Sequence, residues 1–201
     1  MQHPVKSRSI LLIGGSPSAT SRTSRWLANI GARLEQAGLD VETLQVRDLP
    51  AEALLHADFK HPQIISALQQ VENADAIVIA TPVYKASYSG ILKAFIDLWP
   101  QFGLRGKVVL PLANGGSPAH TLILDYALRP VLASLAPRQI LESIYAVEQQ
   151  LVWSDEIGLT LDPAIEQRVQ AGIDNLTELL PQSPSFIHHA RSHSESYALT
   201  V

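Results

Sequence analysis

The sequence predicts an α/β fold, a doubly wound parallel sheet of five strands with helices on both faces. Two observations predict it. Short, unbroken apolar runs rich in Val, Ile and Leu alternate with longer amphipathic stretches, and an unbroken run marks a strand covered on both sides. The three clearest runs each end in a loop dense in Gly, Pro, Ser and Thr, the composition of strand-to-helix turns. With 201 residues, 46% of them hydrophobic, and no internal repeat, the chain has apolar surface for one core of ordinary size.

The elements follow in order. Residues 9–13 (SILLI) form the first strand, closed by Gly14-Gly15. Residues 21–38 form a helix, with Trp26, Leu27, Ile30, Leu34 and Ala37 on one face and Gly38 as its cap. Residues 40–46 alternate as a second strand, a long connection with two prolines follows, and residues 62–71 form a helix. AIVIA (76–80) is the third strand and 87–98 a helix; KVVLPLA (107–113) is the fourth strand and 118–135 a helix. Residues 138–147 complete the sheet as a fifth strand, and 163–180 form the last helix. The expected organisation is a loose polar arm over 1–8, one domain over 9–180, and a flexible tail over 181–201 that is rich in Ser and His.

Composition removes several function classes. A net charge of -4, from 15 basic and 19 acidic residues, leaves no basic footprint for nucleic acid. The absence of cysteine removes disulfides, iron–sulfur clusters, thiolate zinc sites and cysteine nucleophiles. No run approaches the roughly 18 apolar residues of a membrane span, and the run at 10–13 is too short for a signal-peptide core. The expected compartment is the cytoplasm, with no membrane partner.

Ligands of open parallel sheets bind outside the carboxyl ends of the strands. Three loops belong there: GGSPSATSRTS (14–24), TPVYKASYSG (81–90) and NGGSPAH (114–120). The first carries Ser16, Ser18, Thr20, Ser21, Thr23 and Ser24 with Arg22, and opens a helix, whose free amides suit a phosphate. It lacks the Gly-Lys-Ser/Thr of a Walker loop and the G-x-G-x-x-G of a dinucleotide fingerprint. Hydroxyls, amides and one Arg without lysine or metal fit a phosphate monoester such as that of FMN. Simple capping by the same hydroxyls is the equally open alternative. In the second loop Pro82 fixes the backbone, and Val83 and Tyr84 could wall a flat ring or merely cover a helix start. In the third, Gly115 and Gly116 allow backbone to approach a ligand, or form an ordinary turn.

Other chemistry-bearing residues point nowhere in particular. His120, at a helix start, reads as a solvated or capping residue before a general acid. His188, His189 and His193 lack the carboxylate support of a metal site. Asp97 and Asp125 read as helix-face charges, and His56 and His61 have no evident partners. No catalytic acid–base pair and no metal site are expected.

With these residues in place, the chain resembles the NADPH-dependent FMN reductases of the flavodoxin-like superfamily. Gly15-Ser16 with Ser21 and Thr23 is similar to the family's phosphate loop. TPVYKASYSGILKAFIDL (81–98) resembles its second flavin loop and following helix, and KVVLPLANGGSPAH (107–120) its third loop. The likeness runs through 9–180 and is strongest to the branch that serves two-component alkanesulfonate monooxygenases, through Tyr84-Lys85, LLHADF (54–59) and HTLILDYALRPVLASL (120–135).

The resemblance implies FMN and NADPH as cofactors and hydride transfer from the nicotinamide to FMN, with reduced FMN passed to a sulfonate monooxygenase. It implies flavin contacts from Ser16, Ser21, Arg22, Thr23 and Ser24, from Pro82, Val83, Tyr84, Lys85 and Ser87, and from Gly115, Gly116 and Ser117. Lys85, Arg105 or Arg22 would meet a 2′-phosphate. A homo-oligomer, dimer or tetramer, is implied, with a π-type bulge at Tyr126 on the interface and Trp99 and Phe102 as further interface aromatics. Two departures stand out. Ser18 occupies a position where many members carry Arg, with Arg22 close by as a substitute. Val83-Tyr84-Lys85 replaces Glu-Tyr-Asn, a change shared with the sulfonate branch. Competing readings are a quinone or azo reductase with tightly bound FMN, a flavodoxin-like electron carrier, which a net charge of only -4 disfavours, and a non-catalytic binding domain.

Overall fold

The computed structural model describes residues 8–180. All of the expected N-terminal arm except Arg8, and the 181–201 tail with its three histidines, lie outside the described residues.

Strands β1 (Ser9–Gly14), β2 (Asp40–Gln45), β3 (Ala76–Tyr84), β5 (Val108–Gly115) and β6 (Gln139–Ile140) run parallel in the order β2-β1-β3-β5-β6, and the short β4 (Ser87–Tyr88) joins β3 antiparallel. Strand β7, Ile144–Val147, continues the β6 edge and also pairs with β5 in parallel. The fifth strand expected over 138–147 is thus broken at 141–143. Guanidinium groups satisfy the carbonyls at the break: Arg129 donates to Leu141 O at 2.9 Å, and Arg168 to Ser143 O at 2.8 Å.

Both sheet faces are covered, and alternate residues supply two cores. Ile10, Leu12, Val78 and Ala80 pack beneath helices α1 (Arg22–Gln36) and α6 (Pro163–Leu179). Leu11, Ile13, Ile77 and Ile79 pack on the other side against α3 (Pro62–Asn73) and α4 (Gly90–Ile96). In α1, Trp26, Leu27, Ile30 and Leu34 are fully buried as the spacing predicts, whereas Ala37 is exposed because the helix has already ended there. Gly38 takes φ +80° one residue beyond that cap, a conformation glycine adopts without a Cβ penalty.

Four local structures depart from the sequence expectation. The long connection after β2 holds a short helix α2, Ala51–Leu55. Ser87–Tyr88 is a strand, β4, folded back on the end of β3, so α4 begins three residues later than expected. The 118–135 helix is divided into a 3₁₀ turn (Pro118–His120), a π turn (Leu124–Leu128) and α5 (Arg129–Ser134). The π turn has Tyr126 at its centre, where the resemblance places the bulge. Residues 151–161, unassigned from sequence, form a separate antiparallel hairpin of β8 (Leu151–Ser154) and β9 (Gly158–Leu161). Arg25 of α1 stacks over its Trp153 ring at 4.0 Å. Among the described residues, no helix is long and apolar enough to cross a membrane.

Candidate functional site

Because β1, β3 and β5 are adjacent and parallel, their carboxyl ends open on one rim. The loops after them meet there, and buried hydrogen bonds join them.

The first loop is shaped by its own hydroxyls. Ser16 is wholly buried, and its Oγ accepts from Ser21 Oγ at 2.8 Å and from the Ser18 amide at 3.3 Å. Ser24 Oγ donates to Ser18 O at 2.8 Å and accepts from Arg47, which also donates to Gln45 Oε1 at 2.7 Å. Thr23 Oγ1 donates to Asn114 Oδ1, which ties the first loop to the third in the interior. Ser21 caps α1 by accepting from the Ser24 amide at 3.1 Å. The amides of Arg22 and Thr23, at the head of the helix, point the partial positive end of the dipole at the loop. The hydroxyls on the exposed side are those of Ser18 and Thr20, 3.4 Å apart. Arg22 lies at the rim, half exposed, with Nη1 3.3 Å from Glu148 Oε2.

The second loop is a hairpin. Val83 pairs with Tyr88 and Tyr84 with Ser87, and the two turn residues, Lys85 and Ala86, take φ of +49° and +58°. Consecutive left-handed residues define the tight turn that matches strand twist, made here without glycine. Burial raises the Tyr88 hydroxyl pKa above its ordinary value. Thr81 Oγ1 accepts from the Ser89 amide at 3.0 Å and donates to Pro82 O. Pro82 is buried at the hairpin's root, and Tyr84 is half exposed at its edge.

The third loop turns on Gly115. A Cβ there would lie 2.6 Å from Tyr145 Oη and 3.1 Å from Val83 Cβ, so the two loops close over a glycine. Tyr145 Oη donates to Ser117 O at 2.6 Å. Burial, and then the Glu148 carboxylate, hold its pKa above the ordinary tyrosine value. Gly116 is exposed, with nothing within 4 Å of where a Cβ would stand.

Val83, Lys85, Ala86, Gly116, Ser117 and His120 line an open groove of about 550 Å³ between the second and third loops. Thr20, Ser21, Arg22, Arg25, Glu148 and Trp153 are among the residues around a hollow of about 400 Å³ beside the first. The sequence-predicted residues therefore divide. Ser21, Arg22, Val83, Lys85, Gly116 and Ser117 face these openings. Ser16, Thr23, Ser24, Pro82 and Gly115 are buried and set the shape of the rim, and Ser87 and Tyr84 sit on the hairpin. Arg105 is elsewhere: it precedes β5, at the amino end of the sheet, stacked over Phe102 at 4.3 Å. Trp99 is also removed from its expected surface role, since it is buried edge-on against Phe95 with ring centroids 5.5 Å apart.

Sequence reasoning passed over Thr81, Ser89, Asn114, Arg47, Tyr145 and Glu148. Ser89 carried a readable signal, a serine directly before an apolar helical run. The others join the site only through tertiary contact. A larger groove of about 740 Å³, lined by Arg8, Gln36, Ala37, Thr177 and Glu178 among others, lies at the carboxyl ends of α1 and α6, on the opposite edge of the sheet from the loops. No cluster of His, Asp and Glu that could hold a metal occurs among the described residues.

The comparisons with known proteins agree in direction. The family model for NADPH-dependent FMN reductase matches residues 8–151. An FMN reductase (NADPH) of Pseudomonas putida is 42% identical over 176 residues, 87% of this chain and 89% of its own length. An Escherichia coli protein of the same name is 41% identical over 81% of this chain and 88% of its own. The crystal structure of an NADH:FMN oxidoreductase, EmoB, in its apo form superposes with a TM-score of 0.79 at 40% identity, covering 89% of this chain and 93% of that one.

Proposed function

Since this chain belongs to the NADPH-dependent FMN reductase family, we propose that the rim of its three loops binds FMN and reduces it with a reduced nicotinamide. The observation that carries the reading is the convergence of a hydroxyl-rich helix start, a hairpin wall and an exposed glycine turn on one edge of the sheet.

The residues present fit FMN. A phosphate monoester asks for donors without a bulky base or a metal, and the first loop offers the Arg22 and Thr23 amides, the Ser18 and Thr20 hydroxyls and one half-exposed cation, Arg22, with Ser21 at the opening. A flat ring asks for an apolar wall and close backbone, and the groove offers Val83 and Gly116. When bound, FMN supplies the two-electron acceptor for hydride. The chain's residues bind and orient. The Ser16–Ser21–Ser24 network holds the α1 amides in place before a ligand arrives. Ser89 and Thr23 lock the second and third loops to the first. The Gly116-Ser117 backbone lets a ring edge approach. Positioning of this kind lowers a barrier by roughly 7–11 kcal/mol in favourable cases, and direct hydride transfer needs no acid–base pair. Of the three cations expected for the 2′-phosphate of NADPH, Arg105 lies elsewhere and Arg22 serves the flavin phosphate, which leaves Lys85 on the groove.

The reading extends to delivery of reduced FMN to a sulfonate monooxygenase, supported by Tyr84-Lys85 and by the π turn at Tyr126. It extends also to a homo-oligomer, dimer or tetramer, through the face around Tyr126, where Leu122 and Tyr126 are 63% and 57% exposed. Residues 9–180 would form the reductase domain, acting in the cytoplasm. The test is steady-state NADPH oxidation with FMN, FAD or riboflavin as acceptor. FMN-dependent turnover, with FMN preferred over riboflavin, is expected. Absence of any flavin-dependent turnover would overturn the reading.

A further inference from the structure

We propose that Glu148 competes with the flavin phosphate for Arg22 and so keeps FMN exchangeable, a substrate rather than a retained group. The inference rests on the reading of the first loop as the phosphate site.

The charges around that loop are few. Arg47 is engaged with Gln45 and Ser24, and Arg25 lies over the Trp153 ring. Arg22 alone is half exposed, at the first position of α1 where an incoming phosphate meets the helix amides. Its partner in this structure is a carboxylate, Glu148 Oε2, at 3.3 Å.

The backbone that carries Glu148 is anchored on both sides. Glu148 follows Val147, which pairs with Gly115 of the third loop. It begins the 3₁₀ turn Glu148–Gln150, in which Gln150 Oε1 accepts from the Val147 amide at 3.0 Å and Gln150 O accepts from the Asp162 amide at 2.9 Å. Its charge also reaches the Tyr145 hydroxyl, which holds the third loop through Ser117 O. A carboxylate on an anchored stretch of backbone thus stands beside both loops of the proposed phosphate and ring sites.

Two consequences follow from Coulomb's law. A phosphate must take Arg22 from Glu148, and it must then sit near an unpaired carboxylate of its own sign. Each lowers affinity and speeds release. A reductase that hands its product to another protein needs such release, whereas one that keeps its flavin does not.

The experiment is equilibrium binding of FMN and of riboflavin, which lacks the phosphate, followed by flavin fluorescence, in the wild type, Glu148→Gln, Arg22→Ala and the double variant. Glu148→Gln should tighten FMN three- to tenfold and slow its dissociation, with riboflavin unchanged. In the Arg22→Ala background the same substitution removes only the direct repulsion and should tighten FMN by a smaller factor, twofold or less. Unchanged or weaker FMN binding in Glu148→Gln, equal tightening of riboflavin, or tightening as large without Arg22 as with it overturns the proposal. A wild type that binds neither flavin overturns the reading beneath it as well, and riboflavin binding in each variant reports that the site is folded.

Discussion

Ser89 Oγ donates to the carbonyl of Gly15 at 2.5 Å, deep beneath the rim. One hydroxyl thereby joins the loop after β1 to the start of α4, whose Leu92 amide it also caps at 3.3 Å. The Gly15 amide in turn donates to Ala80 O of β3 at 2.8 Å. Ser89→Ala removes a helix cap and leaves the Gly15 carbonyl buried without this donor, losses of about 1–3 kcal/mol together. Urea unfolding should show a lowered midpoint of that size. An unchanged midpoint would contradict the assignment of this contact.

Gly115 and Gly116 are adjacent and should behave differently. A methyl group at 115 meets the Tyr145 hydroxyl and Val83, two groups fixed by their own partners, so Gly115→Ala should cost about 1–3 kcal/mol as an overpacked site. Tyr145→Phe, which removes the oxygen at 2.6 Å, should recover part of that loss. A methyl group at 116 meets nothing within 4 Å. Gly116→Ala should therefore leave the unfolding midpoint within about 0.5 kcal/mol of wild type while weakening flavin binding, because the added atom stands in the groove. Equal stability for both variants would contradict the packing at Gly115.

Much of this arrangement was readable in the sequence. The unbroken apolar runs at 9–13, 76–80 and 107–113 became β1, β3 and β5 because both faces of the sheet are covered, which removes any need for polar alternation. The π turn was not in the residue periodicity, since Leu124, Leu128 and Leu132 recur every four residues as along an ordinary helix; only the likeness of 120–135 to a known family pointed to Tyr126. The β3–β4 hairpin was hidden because its turn residues, Lys85 and Ala86, are not the Asn and Gly that signal such turns. The β8–β9 hairpin was hidden by its shortness. Of the site, the loop glycines and hydroxyls were visible, but their division into exposed and buried sets depends on contacts between loops. Thr23 with Asn114, 91 residues apart, is the clearest example.

The Lys85-Ala86 turn gives a prediction of opposite sign to most. An L-residue in the left-handed region costs about 1–2 kcal/mol, and glycine relieves it at some cost in unfolded-chain entropy. Ala86→Gly should raise stability by about 0.5–1 kcal/mol, read as a higher urea midpoint. A lower midpoint would mean that the Ala86 methyl group makes packing contacts worth more than the strain.

The Arg33–Glu166 pair joins α1 to α6 through two parallel hydrogen bonds, Nη1 to Oε1 at 2.5 Å and Nη2 to Oε2 at 2.7 Å. The Arg33 hydrogen bond holds the Glu166 carboxyl below its ordinary value of 4.5, against a smaller opposing effect of burial. A carboxyl whose folded pKa lies below its unfolded one stabilises the fold at pH values above the unfolded pKa. That contribution is lost as pH falls from about 4.5 through the lower folded value. Because the Glu166 side chain is 45% exposed, solvent screening keeps the contribution below about 1 kcal/mol. Glu166→Gln should therefore be slightly less stable than wild type at pH 7. The gap should close as acid protonates the wild-type carboxylate, and paired urea titrations at pH 7 and at the lowest pH where both fold would measure it. A gap that stays constant or widens in acid would show that the pair does not carry the pH dependence derived from it.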